Sequence, residues 1–594
     1  MGGRLGRRGG RALALLAALV WVAAAVPRAA LAAPPATGTF KPAANVTGTI
    51  WTYGPGFTYP ELSSSAWGMP ELQRRPSFGI ALSGGGYRAT TLALGWVRAL
   101  HSIGAMERAR YLASNSGGSW LNGAYSFTQV PSETFLGPYL PPRALSRKAL
   151  RAANGPGSYG RAVQEGTIVL DALDSALANV LSDKDDGQAV GAWSDSVGEA
   201  FLDPFGVGGH KSPPTALGTA GGVAEAVARA NPGIPFVVAC ATPDKPFPII
   251  MGSILVPEAP TQYAPIEFTP LYAGFPASVN GTDPPVGGGY VEPLLLNTLP
   301  PSPPRPAGRA FSPPPASGVV SADPDPYVVP LVTVVGISSS FASQGLRPTS
   351  DAAAELTGTE QLWYWSPVDF QGSRRKFADG GGADNLAVTP LVRRRVERII
   401  ACVAASAAPD TNASDYARTQ WDIAGLFGAV PPTAVNKRGT INGMPVGLFN
   451  NFTQIFPREG FDQLYAAISS AHKAGKSAVH RARYPVLDNP AKAVAGGWQV
   501  EVLWVINAQI REWEKALPIE SQDLIDDNRR GQPPKLSDRL AGLKAFPYVS
   551  TFQADYSPEL VTLLSQQATW QLLQARKDVE ELMKGAAPAP TKAG

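Results

Sequence analysis

Three short segments, far apart along this sequence, carry residues whose types and spacing allow the cleavage of an ester. Ser116 stands in SNSGGSW, Asp379 stands in KFADGGGADNLAV, and three glycines follow Ser83 in SGGGYR. A hydroxyl at a sharp turn with small neighbours can attack a carbonyl, and a carboxylate can take its proton. Successive backbone N–H groups in a glycine loop can stabilise the resulting oxyanion. The chemistry indicated is acyl transfer through a nucleophile.

The candidate nucleophile is Ser116, because it follows a short predicted strand at 111–113 and precedes two glycines and a predicted helix. A helix N-terminus favours negative charge that develops beside it. Ser114 replaces the first glycine of the GxSxG pattern found in many hydrolases. An ordinary structural turn is the alternative interpretation of Ser-Gly-Gly.

The candidate base is Asp379, at the end of a short predicted strand and before three glycines. The sequence has four histidines, His101, His210, His472 and His480. None lies in a recognisable catalytic context. An unperturbed aspartate has a pKa of about 3.9, so burial must raise this pKa if Asp379 is to act near neutral pH. A triad of Ser116, Asp379 and His472 or His480 is the alternative arrangement.

The glycine loop SGGGYR follows a predicted strand at 78–82 and opens a predicted helix that ends near Gly104. A nucleotide-phosphate cradle is the competing interpretation of such a loop, but no Gly-Lys-Ser/Thr follows and the spaced glycines of a dinucleotide site are absent. Arg88, just after the glycines, can clamp a phosphate through two parallel hydrogen bonds. The plainer interpretation of Arg88 is a cation at the start of a helix.

Taken together and in this order, SGGGYR, SGGSW and DGGGADN resemble the oxyanion loop, nucleophile motif and catalytic aspartate motif of the lysophospholipase/phospholipase B and cytosolic phospholipase A2 group. The group is related to patatin and uses a Ser-Asp dyad. GAWSD from Gly191 and EFTP from Glu267 also resemble segments of it. The resemblance covers most of residues 78–400.

This resemblance implies that Ser116 attacks the acyl carbonyl and that Asp379 takes the hydroxyl proton directly, without a histidine. It implies further that Gly85 and Gly86 donate to the oxyanion and that Arg88 holds a phospholipid phosphate. The implied reaction is hydrolysis of fatty-acyl esters in phospholipids or lysophospholipids at a membrane or micelle surface. An acyltransferase with the same dyad and a catalytically silent lipid-binding protein of the same fold are the alternatives.

The elements that must position these residues are two consecutive strand-turn-helix units, which indicate a parallel α/β sheet. Further apolar runs predict strands at 235–241, 327–336 and 399–405, and helices at 498–517 and 560–583. We therefore expect a three-layer α/β fold of the patatin/phospholipase type, with a mainly parallel central sheet, helices on both faces and a cap insertion. The expected domain is a single catalytic unit at 78–584, with the cap at about 125–234 and a proline-rich exposed loop at 299–325.

The N-terminus predicts a secretory signal peptide at 1–33, followed by a lead-in at 34–77. Arginines precede an apolar run at 12–26, and Ala30-Leu31-Ala32 forms a small-residue cleavage pattern. Four sequons, at Asn45, Asn280, Asn412 and Asn451, fit a glycosylated secretory protein. We expect the protein to be secreted or to reside in the secretory pathway, with association with a membrane as the alternative. The tail at 585–594 is expected to be disordered.

The composition argues against several classes of partner. Removal of 1–33 takes away five arginines and no acidic residue, so the formal net charge changes from +4 to −1 and gives no basis for nucleic-acid binding. Cys240 and Cys402 lie in apolar runs and predict buried thiols. A calcium loop at 183–187 would need Glu where Ser194 stands. We expect no metal and no cofactor, and the sequence leaves the question of protein partners open.

Overall fold

The computed structural model describes residues 46–166, 192–208, 216–219, 222–239, 244–299, 317–324, 329–340, 360–432, 439–530, 541–551, 553 and 556–584. Several predictions fall outside these residues: the signal peptide at 1–33, the sequon at Asn45, the thiol of Cys240, the segment 183–187 and the tail at 585–594.

The strands of the described residues are β1 Val46–Thr52, β2 Phe78–Leu82, β3 Tyr111–Asn115, β4 Ala216–Thr219, β5 Phe236–Ala239, β6 Phe247–Val256, β7 Gln262–Phe268, β8 Ala273–Phe275, β9 Gly289–Val291, β10 Thr298–Leu299, β11 Ser317–Pro324, β12 Glu360–Trp365, β13 Gly372–Asp379, β14 Arg398–Val403, β15 Thr440–Ile441, β16 Met444–Pro445, β17 Val479–Val486 and β18 Trp498–Ile506. Fourteen of them form one sheet, in the order β10-β11-β1-β9-β8-β7-β6-β3-β2-β14-β18-β17, with β13 pairing with β6 and β12.

The α-helices of the described residues are α1 Pro70–Arg74, α2 Gly86–Ser102, α3 Ala105–Arg108, α4 Gly117–Phe127, α5 Ser132–Leu136, α6 Arg147–Ala152, α7 Tyr159–Glu165, α8 Ala192–Phe201, α9 Gly222–Ala230, α10 Leu331–Ser339, α11 Thr389–Arg393, α12 Ala413–Thr419, α13 Trp421–Leu426, α14 Val446–Thr453, α15 Glu459–Lys473, α16 Arg511–Lys515, α17 Ile519–Arg530, α18 Pro558–Gln574 and α19 Arg576–Lys584. Single 3₁₀ turns occur at Pro60–Leu62, Pro142–Ala144, Asp203–Phe205, Pro293–Leu295, Gly380–Gly382, Pro490–Lys492 and Ala541–Ala545. None of the described helices has the length and apolar character needed to span a bilayer.

The centre of the sheet is parallel, from β6 through β3, β2 and β14 to β18, while the strands on either side of it are antiparallel. Side chains of β2 alternate between two hydrophobic cores. Phe78, Ile80 and Leu82 pack in one core with α2 and α4, whereas Ala81 packs in the other with α11 and α13. The sheet therefore lies between two helical layers, and the predicted three-layer α/β fold with parallel central strands is confirmed.

One long strand, β6, brings the two distant catalytic segments together. β3 runs parallel to β6 and pairs Asn115 with Met251, whereas β13 runs antiparallel and pairs Asp379 with the next residue, Gly252. β3 and β13 thus pair with successive stretches of the same edge of β6 and run toward each other. Their C-terminal ends meet, which places the residue after Asn115, Ser116, beside Asp379.

Three predicted helices and strands differ from the structure. Residues 331–336 of the predicted strand at 327–336 belong to helix α10, in which every side chain is buried, so no polar face marks the helical period. Residues 498–506 of the predicted helix at 498–517 form strand β18, which is buried from Val500 onward. The predicted strand at 235–241 contains β5, but β5 pairs only with β4 in a separate two-stranded sheet.

The predicted strand at 399–405 and the C-terminal helices at 560–583 are confirmed as β14, α18 and α19. Within the predicted proline-rich loop, Ser317–Pro324 forms β11 and pairs with β1, which differs from the expected loop. The lead-in contributes β1 to the sheet. The described part of the predicted cap is mostly helical, and Phe135, Tyr159 and Phe201 pack in the same core as α2. The cap remains a prediction.

Candidate active site

Ser116 occupies a strained turn between β3 and α4, with φ 50° and ψ −128°. A positive φ costs a residue other than glycine about 1–3 kcal/mol, which the surroundings must offset. Here the end of α10 does so, because the Ser116 N–H donates to both the carbonyl oxygen and the hydroxyl of Ser338, at 3.1 and 3.0 Å. The turn projects the Ser116 side chain away from the strand, as a nucleophile requires.

Ser114, which stands where the GxSxG pattern has a glycine, is part of the support for this turn. Its hydroxyl is fully buried, lies 2.9 Å from the Ser119 hydroxyl and accepts from Asn122 Nδ2 at 2.9 Å. Ser119 in turn accepts from Ser338 at 2.9 Å. The departure from the glycine pattern therefore adds a hydrogen-bonded link between β3, α4 and α10.

The predicted nucleophile and base are in contact. The Ser116 hydroxyl donates to Asp379 Oδ2 at 3.1 Å, and the Gly381 N–H donates to Asp379 Oδ1 at 2.7 Å. Asp379 is 3% exposed, and burial raises its pKa to about 6, although the hydrogen bonds from Gly381, Ser116 and Asn115 oppose this rise. A carboxylate with this pKa is ionised at neutral pH and is a stronger base than an ordinary aspartate.

The direct bond between Ser116 and Asp379 leaves no place between them for a histidine. His480 lies on β17, four strands away from β3 in the sheet, a separation of about 19 Å at the usual spacing of strands. His472 lies at the end of α15, which packs against β17. The alternative triad through either histidine is therefore wrong.

The glycine loop packs directly against the nucleophile turn. Gly85 and Gly86 have φ of 135° and 59°, a region that favours glycine, and they open helix α2. A Cβ on Gly117 would overlap the carbonyl oxygen of Gly86, so the two turns meet with no room for a side chain. Within the described residues, neither the Gly85 nor the Gly86 N–H donates to a backbone carbonyl. Their role as oxyanion donors stays a prediction.

Arg88 lies within the protein, 3% exposed, and burial lowers its pKa. Its guanidinium donates to the carbonyl oxygens of Ala404, at 3.1 Å, and Val549, and to the hydroxyl of Thr551 at 3.3 Å. These bonds attach the start of α2 to the loop at 549–551. Its role as a phosphate ligand stays a prediction.

Sequence reasoning missed the side chains that hold the dyad in place. Asn115 Nδ2 lies 3.5 Å from Asp379 Oδ1 and donates to Asn385 Oδ1 at 3.2 Å. Both asparagines stand inside the quoted motifs, so their proximity to the dyad could have been inferred. Ser338 accepts from the Ser116 N–H, and Asp422 accepts from Asn385. Both residues lie outside those motifs, and no nearby sequence pattern points to their place beside the site.

Three of the predicted glycosylation sites fall on described residues. The side chains of Asn280, Asn412 and Asn451 are exposed. Asn412 caps helix α12 by accepting from the Asp415 N–H at 2.9 Å, and Asn451 lies within α14. Glycosylation stays a prediction at all three positions.

The fold and the site define a three-layer α/β protein with a serine held against a buried aspartate. No family model matches the chain. A relative described as "Putative meiotic phospholipase SPO1", from Saccharomyces cerevisiae, is 42% identical over 50 residues, which is 8% of this chain and 8% of that protein.

Among solved structures, "Human GIVD cytosolic phospholipase A2" is 14% identical, with a TM-score of 0.44, and the match covers 87% of this chain and 64% of that one. The same human protein in complex with methyl gamma-linolenyl fluorophosphonate gives a TM-score of 0.38 at 14% identity and covers 87% and 61%. The chain therefore spans less than two thirds of the length of each of these proteins.

Proposed function

We propose that this chain is a serine acyl hydrolase that cleaves fatty-acyl esters of phospholipids or lysophospholipids through the Ser116–Asp379 dyad. The observation that carries this proposal is the 3.1 Å hydrogen bond from the Ser116 hydroxyl to Asp379 Oδ2. The pKa of about 6 at Asp379 supports it, because an ionised carboxylate in contact with the hydroxyl can act as a general base at neutral pH.

In the first half of the reaction, the Ser116 hydroxyl passes its proton to Asp379 Oδ2 while Oγ forms a bond to the acyl carbonyl carbon. The negative charge moves onto the carbonyl oxygen, where the N–H groups of Gly85 and Gly86 stabilise it. The intermediate then expels the alcohol, which takes the proton from Asp379. The acyl group remains on Ser116.

In the second half, a water molecule attacks the acyl carbonyl and gives its proton to Asp379. Collapse of the second oxyanion breaks the ester bond to Ser116 Oγ, which takes the proton back from Asp379. The fatty acid leaves and the dyad returns to its starting state. No group beyond the chain itself and water enters this cycle.

Aromatic side chains pack behind the glycine loop and the nucleophile turn. Tyr87 directly follows the glycine loop and packs edge-on against Trp120, with ring centroids 5.5 Å apart. Trp120 stacks on Phe201 at 4.7 Å. These rings exclude water from the layer behind the dyad, and we propose that the acyl chain of the substrate lies against this apolar layer. For a phospholipid, we propose that the positive charge of Arg88, buried behind the glycine loop, attracts the phosphate.

The decisive test compares wild type with Ser116→Ala and Asp379→Asn as purified, folded proteins. Both substitutions should reduce ester hydrolysis by at least about 10³-fold, and Ser116→Ala should also abolish covalent labelling by a fluorophosphonate. Replacement of both His472 and His480 should leave activity in place. Ser116→Ala protein with unchanged esterase activity would exclude the proposal.

Product analysis separates hydrolysis from acyl transfer. With labelled diacyl-phospholipid, lysophospholipid and neutral lipid as substrates, we expect free fatty acid as the main labelled product and activity on at least one phospholipid class. Label that accumulates in a new ester, with little free acid, would identify an acyltransferase instead. Lipid binding without turnover would identify a silent lipid-binding protein.

We further propose that the protein enters the secretory pathway and is glycosylated, and that it meets its substrate at a membrane or micelle surface. The apolar run at 12–26 and the exposed sequons Asn280, Asn412 and Asn451 support this proposal. Expression in a eukaryotic secretory host, followed by N-glycosidase treatment, tests it. Protein that stays inside the cell and shows no mass shift would contradict it.

A further inference from the structure

A path of polar side chains leads from the base of the dyad to a carboxylate outside the three motifs. Asp422 stands in the first turn of α13, and its Oδ2 accepts from Asn385 Nδ2 at 2.8 Å. Asn385 Oδ1 accepts from Asn115 Nδ2 at 3.2 Å. The same Asn115 nitrogen lies 3.5 Å from Asp379 Oδ1. Two amides thus link the carboxylates of Asp422 and Asp379.

The chemistry at the far end of this path sets the direction of both amides. Asp422 Oδ2 is the acceptor, so Asn385 turns its NH₂ group toward Asp422 and its oxygen toward Asn115. Asn115 must then present its own NH₂ group, and that group faces Asp379. The reverse orientation would place the amide oxygen of Asn115 against the carboxylate of Asp379, which is repulsive.

The amide oxygen of Asn115 supports this account. It is buried and has no hydrogen-bond partner among the described residues. A buried acceptor without a partner costs about 1–3 kcal/mol, so the oxygen itself gives no reason for the observed orientation. The gain lies on the nitrogen side, where Asn115 donates toward both Asn385 and Asp379.

The path is tightly packed where the three motifs meet. The Gly84 N–H donates to the Asn385 carbonyl oxygen at 2.9 Å, which joins the glycine loop to the aspartate motif. A Cβ on Gly84 would overlap Asn385 Oδ1 and would lie 2.9 Å from the Cβ of Ser116. A Cβ on Gly380 would overlap Asn115 Oδ1. The amides therefore have little room to adopt other positions.

The charged and titratable groups around the two carboxylates differ. Burial raises the pKa of Asp422, whereas the hydrogen bond from Asn385 and, more weakly, the positive charge of Arg88 lower it. Burial and, to a lesser degree, the charge of Asp422 raise the pKa of Tyr416. Three neutral groups among the described residues lower the pKa of Asp379 through hydrogen bonds: the Gly381 N–H, the Ser116 hydroxyl and the Asn115 amide. Among the contacts described, the two amides connect position 422 to the base.

We propose that Asp422 is a positioning residue which, through Asn385 and Asn115, keeps an amide N–H directed at the base Asp379 and so favours its ionised, proton-accepting form. This inference rests on the proposed function of the dyad. Asp422 does not touch the substrate or the reacting atoms. Its effect is expected in the protonation of Asp379 and therefore in the turnover step, with little effect on substrate binding.

The test replaces Asp422 with three residues. Asp422→Ala and Asp422→Leu remove the acceptor, the second without space for a substituting water, while Asp422→Asn keeps a carbonyl oxygen that can accept from Asn385. We expect Asp422→Ala and Asp422→Leu to raise by about one unit the pH below which kcat falls, which is a loss of about tenfold in kcat at pH 5. The KM of both variants should change less than about twofold. Asp422→Asn should stay close to wild type. Asp415→Asn, on the neighbouring helix α12, is the control and should change neither quantity.

A second measurement does not depend on turnover. The free energy of unfolding of each protein is compared with that of its Asp379→Asn partner across pH, which isolates the titration of Asp379. The pH at which this difference changes should be higher with Asp422→Ala or Asp422→Leu than with wild-type Asp422. This readout shows whether Asp422 acts on Asp379 even if the chain hydrolyses no ester.

The outcomes are distinguishable. A wild-type protein without esterase activity, or an active Ser116→Ala variant, would overturn the proposed function. An active wild type whose acidic limb and unfolding titration are both unchanged by the folded Asp422→Ala or Asp422→Leu variant would overturn the role of Asp422 alone. An Asp422→Asn variant shifted as far as Asp422→Ala would also overturn it, because the acceptor would then be irrelevant.

Discussion

The side chain of Asp379 should set the pH dependence of the reaction. Its pKa of about 6 means that it is protonated, and unable to accept the Ser116 proton, at lower pH. We expect kcat/KM to fall about tenfold for each pH unit below about 6 and to be level above it. Initial rates on a soluble ester over pH 4 to 9, with folding checked by circular dichroism at each pH, measure this. A rate that is flat down to pH 4 would contradict the assignment of the base.

The same raised pKa predicts that Asp379 destabilises the fold. Below the unfolded-state pKa of about 3.9, the aspartate is neutral in both states and has no effect. As pH rises, the unfolded chain loses its proton first, so stability falls until about pH 6, where the folded state also ionises. The free energy of unfolding falls by about 3 kcal/mol in total over this pH range, at about 1.4 kcal/mol per unit of difference in pKa.

Asp379→Asn should therefore unfold at higher urea than wild type at pH 8, by up to about 3 kcal/mol in unfolding free energy, and should match wild type at pH 3.5. Ser116→Ala is the control: it also loses activity, but it keeps the titrating carboxylate and should keep the pH-dependent loss of stability. An Asp379→Asn variant no more stable than wild type at pH 8 would contradict burial of an ionised carboxylate in the native state.

The dyad residues could be predicted from sequence because each lies in a turn rich in glycine at the end of a strand, a pattern that is visible locally. Ser116 and Asp379 were identified in this way, and the structure brings them into contact. Asp422 could not be predicted from sequence, because its proposed role depends on its proximity to Asn385, which only the folded chain creates. Local pattern identifies the residues that react, whereas the side chains that orient them are found through tertiary contacts.

At the level of elements, two turns must approach closely for the site to form, and Gly117 permits that approach. A Cβ at this position would overlap the carbonyl oxygen of Gly86. We expect Gly117→Ala to push the glycine loop away from Ser116 and to lower kcat by about 10²-fold, since a misplacement of about 1 Å can have that effect. Steady-state kinetics together with thermal unfolding measure it.

The matched control is Gly447→Ala. Gly447 lies in helix α14, with open space where a Cβ would be. This substitution should preserve activity and raise stability by up to about 1 kcal/mol, the difference in helix propensity. Gly117→Ala protein with the kinetics of wild type would show that the glycine loop does not need its close contact with the nucleophile turn.

The helix and the strand whose type sequence reasoning assigned wrongly, α10 and β18, share one property, burial on all sides. Helix α10 has no exposed residue, and β18 is a central strand buried from Val500 to Ile506. Periodicity distinguishes helix from strand only when one face is polar. The helix and the strand around Ser116 were predicted correctly because glycines mark the turn between them. Helix α10, which was predicted as a strand, contains Ser338, the residue that accepts from the Ser116 N–H.

At the scale of the whole molecule, the C-terminal helix α18 supports the helix that begins at the glycine loop. Thr569 Oγ1 donates to the Gly95 carbonyl oxygen of α2 at 3.0 Å, and Trp96 Nε1 donates to Gln571 Oε1 at 3.1 Å. Residues of both helices belong to one hydrophobic core. Segments more than 450 positions apart are thus one packing unit, and we expect the catalytic site to unfold together with the C-terminal helices.

Gly95→Ala tests this coupling. The new Cβ would overlap the carbonyl oxygen of Ser565 and lie 2.7 Å from the Cβ of Ala568, so α2 and α18 must separate. Overpacking of this kind costs about 1–3 kcal/mol. We expect a lower melting temperature with a single transition, in which helical signal and esterase activity are lost at the same temperature. Gly54→Ala, where a Cβ meets nothing within 4 Å, is the control and should melt as wild type does. Esterase activity that persists after part of the helical signal is lost would show instead that the C-terminal helices unfold independently of the site.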